Sequence, residues 1–124
     1  MSRDATVTID FADGEHRFRL AIGALRELQE KLAASPFTVF ERLRAGRPMV
    51  DDAREVLRLG LIGGGLTPAD ALRLVRTYVE ERPLGEAIVP AVAVLAAALF
   101  GVADEEPGKS SGATGEPTAS PPTD

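Results

Sequence analysis

The lone histidine, His16, is the first residue to ask about proton transfer or metal binding in this 124-residue chain. No Ser-His-Asp arrangement is suggested, because no nucleophile motif such as G-x-S-x-G stands in the sequence. A zinc or iron centre needs three or four ligands, and there is no cysteine to join the single histidine. The carboxylates make no helical i,i+3 or i,i+4 arrangement with a histidine that would build a di-metal centre. His16 is therefore expected to be structural, at the tip of a hairpin, and the chain to be no enzyme, with no metal and no cofactor.

Two further stretches invite chemistry. Gly60-Leu61-Ile62-Gly63-Gly64-Gly65-Leu66-Thr67 looks at first like a phosphate loop. That loop needs a Lys before its Ser/Thr and a strand before its glycines, and neither is here. The dinucleotide pattern fails as well, because Pro68 stands where its last glycine belongs. A helix end, with glycines free to take positive φ before a capped helix, is the expectation. Arg42, Arg44 and Arg47 form a small basic cluster, but Glu41 and Asp51 lie close by and no aromatic residues are interleaved. A solvated face is expected there, with no nucleic-acid partner.

Charge placement supports that exclusion. The net charge is -5. Five acids and one base, Lys109, fall after Gly101, so residues 1–101 hold 14 acids and 13 bases and are nearly neutral. The absence of cysteine fits a reducing cytoplasm. Met1-Ser2-Arg3-Asp4 leads directly into alternating residues with no apolar h-region, so no secretory signal is expected.

The elements follow from periodicity. Thr6–Phe11 and Glu15–Leu20 alternate strictly around Ala12-Asp13-Gly14, a hairpin signal. Val7, Ile9, Phe11, His16, Phe18 and Leu20 share its apolar face. Ile22, Leu25, Leu28 and Leu32 recur at helical spacing and predict a helix over 22–33. Ser35-Pro36 starts a second helix as cap and first position, with Phe37, Phe40 and Leu43 as its buried stripe. Asp52 with Glu55 opens a third, with Ala53, Val56, Leu57, Gly60 and Leu61 inward. Thr67-Pro68-Ala69-Asp70 opens a fourth, running to about Glu81, with Leu72, Val75, Tyr78 and Val79 inward.

Ala87–Phe100 then carries no charged or strongly polar side chain, and a helix apolar all round must be covered by protein or lipid. It is short for a bilayer, contains Pro90 and is flanked by acids on its C-terminal side, so no membrane span is expected. Its larger apolar side chains gain roughly 10–20 kcal/mol gross on burial, at about 1.5–3 each. Ordering the segment costs a similar sum, at about 1–2 kcal/mol per backbone residue. An exposed helix would not stay ordered, so this one is core, interface or both. Val92, Leu95, Leu99 and Phe100 are its candidate partner-binding residues. From Val102 the composition turns to Pro, Gly, Ser, Thr and acids, and a disordered tail is expected over 102–124.

The expected fold is α+β: one domain over 1–101, an N-terminal two-stranded hairpin followed by about five helices. The order of parts carries a resemblance. Asp13–Leu20 runs directly into Ile22–Glu30; Glu55–Gly65 and a helix ending at Tyr78 follow; Arg82-Pro83-Leu84 precedes an Ala-rich helix ending Leu99-Phe100-Gly101. Over about Thr6–Gly101 this resembles the small tail protein family of gene transfer agents and tailed phages, including tail assembly chaperones. The resemblance implies a non-enzymatic, cytoplasmic assembly role, binding the tape-measure protein as a chaperone. The alternative is a structural component retained in the tail tube, contacting tail-tube protein or further copies of itself.

Overall fold

The structure, a computed structural model, describes residues 4–101. The tail expected over 102–124 lies outside the described residues. Two antiparallel strands, β1 (Val7–Phe11) and β2 (Gly14–Phe18), pair in the register Val7–Phe18, Ile9–His16 and Phe11–Gly14. Five helices follow: α1 (Ile22–Leu32), α2 (Pro36–Arg44), α3 (Asp52–Gly63), α4 (Pro68–Val75) and α5 (Ile88–Phe100). A π turn, Arg76–Glu80, continues α4, and a 3-10 turn, Leu84–Ala87, leads into α5.

The α+β architecture is the one expected, and the alternating faces of the hairpin are as well. Phe11 and Phe18 are buried, with ring centroids 5.9 Å apart, edge to face. The turn, however, is Ala12-Asp13. Gly14 already pairs with Phe11, and Ala12 takes φ +62. A two-residue loop needs positive φ in its centre, and here an alanine supplies it.

Two helix starts follow their sequence signals. Ser35 Oγ accepts from the Phe37 N–H at 3.1 Å, and Thr67 Oγ1 accepts from the Asp70 N–H at 3.2 Å, with Pro36 and Pro68 at the first helical positions. In α2 the inward stripe differs from expectation. Val39 and Leu43 are fully buried, while Phe37 is 53% exposed and packs edge to face on Phe100 instead. In α4 the buried positions are Ala71, Leu74 and Val75, so Leu74 replaces Leu72 as the inward leucine. The π turn adds a residue to the helical repeat, buries Val79 and sets Tyr78 6.5 Å from Phe11.

The central element is α3. It packs against α1, α4, α5 and β2, and its buried residues include Ala53, Val56, Leu57, Gly60 and Leu61. Its C-terminal turn meets β2 backbone to backbone. The Arg19 N–H donates to the Gly60 carbonyl at 3.0 Å. A Cβ on Gly63 would lie 1.9 Å from the Arg19 carbonyl oxygen, and one on Gly64 2.0 Å from that of Arg17. Two glycines here are the condition for the helix and strand to touch. The C-terminal end of the outer β2 edge is thereby covered.

Candidate functional site

The residues that sequence chemistry singled out separate in space. His16, partly buried on the hairpin, lies with Nε2 2.7 Å from Asp13 Oδ1. That hydrogen bond is the chief cause holding the Asp13 carboxyl below its usual range. Among the described residues no three His, Cys, Asp or Glu side chains gather as a metal would need. The glycines after Leu59 cradle β2 rather than a phosphate: Gly60 admits Phe18 and Val94, and Gly63 and Gly64 admit the β2 backbone.

The basic cluster divides. Arg44 lies 5.9 Å over the Phe40 ring, and Arg47 is exposed. Arg42 is no solvated charge: its Nε and Nη2 donate to Asp52 at 3.0 and 2.8 Å. Asp52 is fully buried and also accepts from the Met49 N–H at 2.9 Å. The α3 cap expected from Asp52 is thus a loop clamp. Asp51 takes the N-cap position without a side-chain bond, and the Asp52 carboxylate turns back to α2 and the loop. A second polar group is buried one turn on. Burial pushes the Glu55 carboxyl up, but hydrogen bonds and charge from Arg58 and Arg54 outweigh it and leave the group below its ordinary value. Arg58 Nη2 is 2.8 Å from Glu55 and 3.8 Å from Glu27 of α1, while Arg54 also pairs Glu80 of the π turn. Charges thus link α1, α3 and the π turn; their geometry is structural.

The surfaces that remain are apolar or backbone. No helix among the described residues is long and apolar enough to cross a membrane. Pro90 sits in the first turn of α5, where its missing N–H costs nothing. The helix buries Ala91, Val94, Leu95 and Ala97 against the core. Of the four candidate partner-binding residues, Leu95 is fully buried and unavailable to a partner, Val92 and Leu99 are partly buried, and Phe100 is 63% exposed. The line opposite the core is Val89, Ala93, Ala96 and Phe100: Val89 is 76% exposed, and Ala93 and Ala96 are partly buried. Its 4-3-4 spacing was present in the sequence, but an all-apolar helix hides which of its faces looks out. Phe37 and Phe40 stand beside Phe100, with ring centroids 5.9 and 5.2 Å from it, around a concavity of about 440 Å³.

The hairpin supplies the second open surface. With Phe11–Gly14 closing a two-residue loop, hydrogen-bonded pairs alternate along the ladder, so Thr8 and Asp10 turn their backbone groups outward from β1. Among the described residues β1 pairs with β2 alone.

No curated protein and no solved structure gives a significant match to the chain. A protein-family model does match, over residues 4–101, the whole of the described fold, and bears out the kinship to gene transfer agent and phage tails. The chain belongs to the family described as phage tail tube protein, GTA-gp10.

Proposed function

We propose that this protein is a structural component of a phage-like tail, retained in the particle at the tube or its end, where copies associate with one another or with tail-tube protein. The observation that carries this reading is the family match across residues 4–101, whose description is a tail tube protein. The open β1 edge supports it. A strand edge with outward backbone groups at Thr8 and Asp10 is a template for strand addition between subunits, and the C-terminal end of the β2 edge is already taken by α3. The role is non-enzymatic, needs no cofactor, and is exercised in the cytoplasm while particles assemble. Mass spectrometry of purified particles tests it: stoichiometric presence supports the structural role, and absence overturns it.

A second reading, a chaperone that coats the tape-measure protein, draws support from one observation, the exposed Val89 and Phe100 on an otherwise partly buried apolar face of α5. An amphipathic helix can lie along such a face. Co-expression with the tape-measure protein should then co-purify the two and raise the solubility of the larger partner.

A further inference from the structure

The outward face of α5 is apolar from end to end, on a helix of 13 residues with no charge. Its line Val89, Ala93, Ala96, Phe100 has the 4-3-4 spacing of a coiled-coil seam and lies on the side opposite buried Ala91 and Val94, with Val89 and Phe100 exposed and the two alanines partly buried between them. The line reads the same from either end: bulky, small, small, bulky, about a midpoint between Val94 and Leu95. An antiparallel twofold placed at that midpoint sets Val89 of one copy against Phe100 of the next and Ala93 against Ala96. We infer that this face pairs with itself, joining two copies of the chain through antiparallel α5 helices.

Three observations favour a second copy as the occupant. The first is shape. Val89, 76% exposed, meets the end where Phe37, Phe40 and Phe100 bound a concavity of about 440 Å³, and the alanines between let the helices close to the separation of packed helices. The second is charge. Glu41 and Arg44 line the Phe100 end, and Glu86, paired with Arg82 at 3.1 Å, stands three residues before Val89. A balanced pair thus meets a balanced pair across the twofold, and no like charges accumulate. The third is area. Val89, Phe37 and Phe100 with the partly exposed residues between them offer at most roughly 500 Å² per copy when fully covered, about 1,000 Å² for the pair, the least a specific interface needs. An interface at that lower limit belongs to the weak, transient class, so the pairing is reversible. The pairing rests on α5 and α2 alone and does not depend on the tail reading, whose strand edge lies on β1.

Sedimentation of the full chain across a concentration series tests the pairing. A monomer–dimer equilibrium in the micromolar range is expected. Val89→Glu should raise its dissociation constant at least tenfold while the helical circular dichroism and thermal midpoint stay unchanged, because that side chain is 76% exposed. Thr8→Pro, which blocks the β1 edge, should leave the dimer intact. Orientation is read by cross-linking, since the chain has no native cysteine to interfere. Differently tagged Ala93→Cys and Ala96→Cys proteins, mixed and oxidised with copper phenanthroline, should join mainly to each other. A chain that stays monomeric at hundreds of micromolar, a dimer indifferent to Val89→Glu, or cross-links mainly between like variants would each overturn the inference.

Discussion

Gly64 and Arg17 touch backbone to backbone: a Cβ on the glycine would stand 2.0 Å from the arginine's carbonyl oxygen. Neither partner can swing aside, because one ends α3 and the other lies in β2. Gly64→Ala should therefore cost at least about 3 kcal/mol, in the class of substitutions that force backbone apart. Gly23→Ala is the contrasting case. It lies in the first turns of α1 with open space around it, and should stabilise by up to about 1 kcal/mol through helix propensity. Urea denaturation of the two variants reads both signs.

The Arg42–Asp52 clamp makes a second expectation. Asp52 is fully buried, so removing its arginine leaves a carboxylate without its charge partner. Arg42→Ala should cost about 3 kcal/mol, near the low end for a broken buried pair because Arg42 is itself partly exposed. Replacing both residues together, Arg42→Met with Asp52→Leu, should cost less than the single change. A double-mutant cycle by chemical denaturation checks the coupling.

Glu55 predicts how stability depends on pH. Its carboxyl is held below its ordinary value in the fold, so the folded state binds its proton less readily than the unfolded chain does. The stabilisation is complete above the unfolded value of about 4.3 and is lost as pH falls through the lower folded value. Glu55→Gln should flatten the acid limb of the stability curve. Thermal melts of wild type and variant between about pH 6 and 3 would show it, the two curves converging towards the acid end.

Ala12 occupies a left-handed position in the hairpin turn, at φ +62. Ala12→Gly should relieve that strain and stabilise by roughly 0.5–1 kcal/mol, the cost of αL to an L-residue less the entropy glycine returns to the unfolded chain. A rise in the denaturation midpoint without a change in slope is the expected result.

Sequence alone determined whatever rests on local chemistry. The alternation of Val7, Ile9 and Phe11 named the buried face of the hairpin, since side chains on a strand have period two. Ser35-Pro36 and Thr67-Pro68 placed two helix starts, since capping is settled within one turn. The order of parts from Asp13 to Gly101 pointed to the tail family. Tertiary structure decided the rest, because each remaining choice depends on what a distant segment offers. Gly63 and Gly64 read locally as a helix end, and only the approach of β2 makes them contact points. Arg42 reads as a surface base until the fold brings buried Asp52 to it. In α5 every position is apolar, so periodicity carries no sign of inside or outside. The core took Leu95, and Val89 and Phe100 were left facing out.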